Sequence, residues 1–167
     1  MFSLVLGGNK SGKSDFGLEL LLKGKSPHLL IVTGKGFDFE FKKQIKDHRL
    51  KRDPRLFVHE IGTDLSVCLK AREKDWATIL VDSLDFWLFS LFEQGKLEEG
   101  IKDFFSLLKN WQGQEIIFVS SEIGLGPIPV SGEMRRFVRA LGDVNQNLAR
   151  LCAQVYLVLA GIPVRIK

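Results

Sequence analysis

Apolar residues in this chain follow two rhythms. Short, mostly apolar runs fall at 1–6 (M-F-S-L-V-L), 28–33 (H-L-L-I-V-T), 55–61 (R-L-F-V-H-E-I), 77–82 (A-T-I-L-V-D), 115–120 (E-I-I-F-V-S) and 155–160 (V-Y-L-V-L-A). Runs of this kind read as strands, and the continuous ones as buried parallel strands. Between them apolar residues return every three or four positions, which predicts helices. The first helix carries Leu18, Leu21 and Leu22 and stops at Gly24 and Pro27. A second is predicted from Asp38, as N-cap, to about Leu50, with Phe37, Phe41 and Ile45 four residues apart. A third spans 64–74, capped by Thr63 or Asp64. The stretch 83–89 reads as a mostly buried helix or part of a subunit interface. An outer helix at 97–111 turns Ile101, Phe104, Phe105 and Leu108 inward. The last, 134–152, has the stripe Met134, Phe137, Val138, Leu141, Val144, Leu148 and Leu151. Gly142 in its middle costs about 1 kcal/mol against Ala and points to close packing. Residues 163–167 form a short tail strand.

One stretch organises the rest. Gly7-Gly8-Asn9-Lys10-Ser11-Gly12-Lys13-Ser14 fits G-x-x-x-x-G-K-[ST], between the first strand and the first helix. Its glycines let the backbone turn so that N–H groups converge on phosphate oxygens at a helix N-terminus. Lys13 adds a mobile cation for the outer phosphates, and the Ser14 hydroxyl is a magnesium ligand in such loops. With strands and helices alternating throughout, the expected fold is α/β: a P-loop NTPase-like, mostly parallel sheet flanked by helices, in a single domain over 1–167. No internal repeat, linker or low-complexity tract interrupts it.

Composition changes this picture little and charge distribution changes it more. The chain has 45% hydrophobic and 26% charged residues, an ordinary soluble balance. The apolar stretch 84–92 contains Asp85 and is too short to span a bilayer. The first six residues lack a basic region and a cleavage site, so they read as a strand rather than a signal peptide. Cys68 and Cys152 sit in helical, apolar surroundings as buried thiols, which suits a reducing cytoplasm. The net charge is +4, with the basic residues concentrated between Lys42 and Arg55. One short basic segment without aromatic platforms fits an anionic small molecule rather than nucleic acid; a solvated helix face is the plainer reading of each lysine alone.

Several residues stand where they could act. Thr33-Gly34-Lys35 close the second strand at the edge of the sheet that holds the phosphate loop, where open α/β sheets place ligands; a plain turn explains them as well. Asp82 ends its strand as a Walker-B carboxylate facing the loop magnesium would, or as a cap on the next helix. Glu60 is a candidate polar contact to a ligand, and Glu122 a candidate metal ligand, direct or through water. The loop 123–132 (I-G-L-G-P-I-P-V-S-G) is glycine- and proline-rich and reads as a substrate loop. His48 shares a helix face with Phe41 and Ile45, which fits a satisfied structural histidine. Its basic surroundings, however, favour the neutral imidazole able to attack phosphorus. His28 and His59 lie in strands and have no such setting.

Taken in order, G-G-N-K-S-G-K-S (7–14), D-F-E-F-K-K-Q-I-K-D-H-R (38–49), V-D-S-L-D-F-W-L (81–88), S-S-E-I-G-L-G-P-I-P (120–129), G-D-V-N-Q (142–146) and L-A-G-I-P-V-R-I-K (159–167) resemble the bifunctional adenosylcobinamide kinase/adenosylcobinamide-phosphate guanylyltransferase family of cobalamin biosynthesis. The resemblance implies two reactions. The γ-phosphate of ATP or GTP passes to the aminopropanol hydroxyl of adenosylcobinamide, and GMP from GTP then passes to that phosphate. It implies a guanylylated histidine, matched here by His48, with magnesium as cofactor and a cytoplasmic homo-oligomer, a trimer in the family. It places nucleotide contacts on the phosphate loop, on Thr33, Gly34 and Lys35, on Arg49, Leu50, Lys51 and Arg52, on Glu60 and on Asp82. The chain departs from the family at Phe41 and Gln44, where Met and Arg are usual, and at Ser121, where Asn is. Val138 and Arg139 replace an Arg-Asp pair, Leu56 and Phe57 stand in a segment that usually holds Trp, and Gln154 replaces an Asp. A P-loop kinase without guanylyl transfer, or a non-catalytic nucleotide-binding module, are the alternatives.

Overall fold

The computed structural model describes residues 1–33 and 56–167. The expected helix from 38 to 50, and with it Gly34, Lys35, Phe41, Gln44, His48, Arg49, Leu50, Lys51 and Arg52, lies outside the described residues. Among those described, strands β1 (Phe2–Gly7), β2 (His28–Thr33), β3 (Leu56–Ile61), β4 (Thr78–Asp82), β5 (Glu115–Ser121), β6 (Gln154–Leu159) and β7 (Ile162–Arg165) form one sheet. Its order is β3-β2-β4-β5-β1-β6-β7. All neighbours pair in parallel except β6 and β7, which pair antiparallel through a tight turn. Helices α1 (Lys13–Lys23), α2 (Leu65–Ala71), α3 (Leu84–Glu93), α4 (Leu97–Lys109) and α5 (Gly132–Leu151) cover its faces.

The continuous apolar strands arise because both faces of the sheet are covered. Along β1, Leu4 and Leu6 enter a large core beneath α2–α5, while Val5 enters a smaller one beneath α1. The same alternation puts Ile79 and Val81 on the first side of β4 and Leu80 on the other, and divides β5 into Ile116 and Phe118 against Ile117 and Val119. This is the two-residue period of the strand read against two helical layers. On the larger side Trp87 and Phe104 are almost fully buried, their rings tilted at a centroid separation of 5.1 Å. Gly17 lets α1 lie close on the sheet, since a Cβ there would sit 2.8 Å from the Val119 side chain.

Some expectations need correction. The helix predicted over 64–74 ends at Ala71, and neither Thr63 nor Asp64 caps it through a side chain: Asp64 takes the N-cap position without a side-chain hydrogen bond. Gly142 is not a close-packing residue; nothing lies within 4 Å of a Cβ built there, and it faces outward. The stripe of α5 is narrower than its sequence, with Phe137, Leu141, Val144 and Leu148 buried but Met134 and Leu151 about 40% exposed. Asn145, polar by type, is buried on that same face. The two cysteines are free, buried thiols, as expected; burial pushes Cys68 up and Cys152 up to about 12. Among the described residues no helix is long and apolar enough to cross a membrane.

Candidate functional site

The carboxyl ends of β1, β4, β5 and β6 converge on the glycine turn. β1 delivers Gly7, beside Ser121 of β5 on one side and Val158 of β6 on the other. A Cβ on Gly7 would collide with the Ser11 Oγ at 2.3 Å and the Val158 carbonyl at 2.9 Å. Gly12 takes φ +91°, a left-handed value that favours glycine, and immediately precedes α1. Lys13 Nζ donates to the Gly8 carbonyl at 3.2 Å, folding the side chain back over the loop. Asn9 and Lys10 are exposed, and Gly8 has open space where a Cβ would be.

Two neighbours hold this turn. Glu122 N–H donates to the Gly7 carbonyl at 3.0 Å, so the segment after β5 leaves directly from the loop. Gly161 N–H donates to the Ser11 carbonyl at 2.8 Å, and a Cβ on Gly12 would stand 3.1 Å from the Gly161 Cα. The β6–β7 turn, with Ala160 at φ +49° and Gly161 at φ +80°, therefore props the phosphate loop from behind. The A-G-I-P string was legible in the sequence as a pattern, but nothing local could assign it this supporting role.

Asp82 sits at the tip of β4, 4% exposed, and the Ser14 hydroxyl hydrogen-bonds its carboxylate. Its Oδ2 is buried with no hydrogen-bond partner. Burial pushes its pKa up to about 7, and the nearby charges of Asp85 and Asp15 push the same way, while Ser14 and Lys13 pull it down. The alternative reading as a helix cap is not what the structure shows, because Ser83 takes the N-cap position of α3. A buried carboxylate oxygen without a partner, beside a hydroxyl and the phosphate loop, is the kind of hard oxygen donor set that takes a small divalent cation.

The other predicted residues are placed as follows. Thr33 is buried at the end of β2, and its hydroxyl joins the backbone of Ser83, donating to the carbonyl and accepting from the N–H at 3.1 Å. It fixes the turn after Asp82. Glu60 is exposed near the end of β3, four strands from β1 and so about 19 Å away at the usual strand spacing. Glu122 is half-buried next to the loop, with Oε1 accepting from the Gly124 N–H at 3.1 Å. Among the described residues no cluster of three His, Cys, Asp or Glu gathers around a common point. Beyond Glu122, Leu125, Ile128 and Val130 are 78%, 83% and 96% exposed. Arg135 steadies that loop, donating to the carbonyls of Pro129 at 2.9 Å and Val130. Of the remaining histidines, His28 is buried with Nε2 bonded to the Gly24 carbonyl, and His59 pairs with Arg72. Both have structural surroundings.

Sequence reasoning missed a buried polar chain on the other side of Asp82. Asn145 Nδ2 donates to the Ser121 carbonyl at 3.0 Å, and its Oδ1 accepts from Ser120 Oγ at 2.7 Å. Ser121 Oγ in turn donates to Asp85 Oδ2 at 2.6 Å. A lone Asn inside a helical stripe is the signal that could have found it.

A strand, a glycine turn whose lysine folds over it, a helix springing from the turn and a buried acid on a nearby parallel strand define a P-loop nucleotide-binding protein. The fold is shared with solved structures. One, from work on a prototypical ATPase of the type III secretion system of pathogenic bacteria, aligns over 98% of this chain and 56% of that one, with a TM-score of 0.57 at 9% identity. Another, the flagellar accessory protein FlaH of Methanocaldococcus jannaschii, covers 99% and 77%, with a TM-score of 0.51 at 13% identity. At these identities they speak for the fold alone. The chain itself belongs to the cobinamide kinase / cobinamide phosphate guanyltransferase family, whose model matches residues 3–166. It is 31% identical to the bifunctional adenosylcobalamin biosynthesis protein CobP of Pseudomonas aeruginosa, covering 100% of this chain and 98% of that one. To the bifunctional adenosylcobalamin biosynthesis protein CobU of Escherichia coli it is 30% identical, with both chains fully covered.

Proposed function

We propose that this chain is a transferase with two linked activities in cobalamin biosynthesis: phosphorylation of adenosylcobinamide by ATP or GTP, and transfer of GMP from GTP to the resulting phosphate. The observation that carries this reading is the contact between Ser14 of the phosphate loop and the buried carboxylate of Asp82, in a chain that matches the family from end to end. The loop N–H groups and Lys13 take the β- and γ-phosphates. Ser14 and Asp82 would hold Mg2+, with Glu122 as a further or water-mediated ligand in this reading. The unpartnered Asp82 Oδ2 is the atom that fits it. When bound, Mg2+ neutralises charge developing on the transferred and leaving phosphate oxygens.

In the kinase step the acceptor hydroxyl oxygen bonds to the γ-phosphorus and gives up its proton to solvent, the bond from that phosphorus to the bridging oxygen breaks, and the nucleoside diphosphate leaves. The exposed apolar loop with Leu125, Ile128 and Val130 starts at the phosphate loop and forms a wall for the bulky corrinoid. In the second step a neutral His48 attacks the α-phosphorus of GTP and releases pyrophosphate, and the corrinoid phosphate then displaces the histidine. Thr33, Gly34, Lys35, Arg49, Leu50, Lys51, Arg52 and Glu60 complete the nucleotide contacts in this reading. The protein acts in the cytoplasm as a homo-oligomer.

Incubation with GTP labelled at the α-phosphate tests the second activity. Acid-labile, base-stable label on the protein, lost in His48→Ala, is the expected result. Absence of covalent label with corrinoid phosphorylation intact would reduce the protein to a kinase. Nucleotide binding without turnover of any cobinamide would leave only a binding module.

A further inference from the structure

Two buried carboxylate oxygens close to the phosphate loop have no hydrogen-bond partner. One is Oδ2 of Asp82, on a residue 4% exposed; the other is Oδ1 of Asp85, three residues on, in the first turn of α3. The two acids are near enough for the Asp85 charge to act on Asp82, and Lys13 is the cation whose charge offsets it there. An unpaired buried carboxylate is costly, and two side by side are more so. Asp85 is nonetheless held in place. Ser121 Oγ pins its Oδ2 at 2.6 Å, Asn145 pins the Ser121 carbonyl at 3.0 Å, and Ser120 satisfies the remaining Asn145 oxygen. The start of α3 also favours a negative charge at that position. In this chain of contacts the oxygen left without a partner is Asp85 Oδ1. Such an arrangement orients a ligand rather than fills space.

We propose that Asp85 is a second carboxylate of the divalent-cation site, holding the nucleotide's Mg2+ together with Asp82, directly or through a bound water, and that Ser121 and Asn145 are its positioning residues. This rests on the reading of Ser14 and Asp82 as cation ligands, and it adds a residue that the phosphate-loop pattern does not contain.

The test is the affinity of the full chain for Mn2+ in the presence of saturating GTP, read from the electron paramagnetic resonance signal of free Mn2+. Asp85→Asn is expected to weaken Mn2+ binding by about tenfold, and nucleotide binding measured without metal to stay level or tighten as one negative charge is removed. Ser121→Ala leaves the carboxylate but frees it, and is expected to weaken Mn2+ binding about threefold; it serves as well if Asp85→Asn does not fold. Asp15→Asn, which also removes a charge acting on Asp82, measures the effect of charge at a distance and is expected to stay within twofold. Weakening by Asp85→Asn no greater than that by Asp15→Asn, with Asp82→Asn still weakening Mn2+ strongly, overturns the role of Asp85 alone. No weakening by Asp82→Asn either overturns the cation site as a whole.

Discussion

The two ends of the sheet treat buried polar groups differently. At the amino end, Thr78 donates to the Lys25 carbonyl at 2.9 Å and His28 holds the Gly24 carbonyl; among the described residues the atoms left over there, His28 Nδ1 and Gln114 Oε1, are not carboxylate oxygens. At the carboxyl end the atoms left over are Ser11 Oγ and one oxygen on each of Asp82 and Asp85. The first end leaves no carboxylate oxygen unpaired among the described residues; the second leaves two, the pair proposed to meet a cation. An unpaired neutral acceptor costs about 1–3 kcal/mol and a carboxylate more, so the second end carries the larger cost, which in the proposed function nucleotide phosphates with a cation would offset. In such a fold unsatisfied buried charge is the guide to where a ligand belongs. A cavity of about 630 Å³ between α4 and α5, lined by Arg135, Arg136 and Arg139 among others, lies outside the converging strand ends.

The comparison breaks most sharply at Asp82. Its folded pKa of about 7 lies above the ordinary 3.8, so the nucleotide-free protein gains stability from its proton below about pH 4 and loses that stability as pH rises through 7. Asp82→Asn removes this penalty. Denaturant melts of the nucleotide-free protein at pH 8 are expected to show the variant more stable, by up to about 4 kcal/mol, with the difference gone near pH 4, while corrinoid phosphorylation is lost. A variant less stable than wild type at pH 8 would place Asp82 among the groups that close the structure.

Lys13→Ala sharpens the same contrast from the other side. Removing the charge proposed to meet the transferred phosphate is expected to lower kcat/KM of the kinase step by about 10²–10³-fold, with thermal stability almost unchanged, because the side chain's hydrogen bond is to one loop carbonyl. Asn145→Ala should act on both counts. It leaves the Ser121 carbonyl and the Ser120 hydroxyl unpaired and is expected to destabilise by about 2 kcal/mol, with Mn2+ affinity falling in the GTP complex. Thr78→Val, at the amino end, is expected to cost about 1 kcal/mol for its hydrogen bond to Lys25 and to leave all kinetic constants within twofold. A kinetic effect there as large as that of Lys13→Ala would erase the distinction between the two ends.

How much of this could be read from the chain depends on what each residue's role requires locally. The phosphate loop was legible because its chemistry demands glycine at fixed spacing, and Gly7 and Gly12 have the close contacts and the backbone angle that explain it. The strands were legible from their continuous apolar runs, and Asp82 from its place at the end of one. Gly142 misled because a helical glycine looks the same in sequence whether it admits a neighbour or faces solvent, as here. Met134 and Leu151 fit the stripe of α5 but lie near its ends, where they stay about 40% exposed. Asp85, Ser121 and Asn145 come from three separate elements, brought together by the packing of α3 on β5 and against α5. No periodicity marks such a set. The A-G-I-P turn likewise needed the parallel register of β1 and β6 before its contact with Ser11 had meaning.

The most direct measurement of the central claim follows the corrinoid itself. The full chain is incubated with adenosylcobinamide, GTP and Mg2+, and the products are weighed by mass spectrometry. A phosphorylated corrinoid followed by one carrying GDP, with neither formed by Lys13→Ala, is what the account predicts. A folded wild-type protein that binds GTP yet returns the corrinoid unchanged would contradict it.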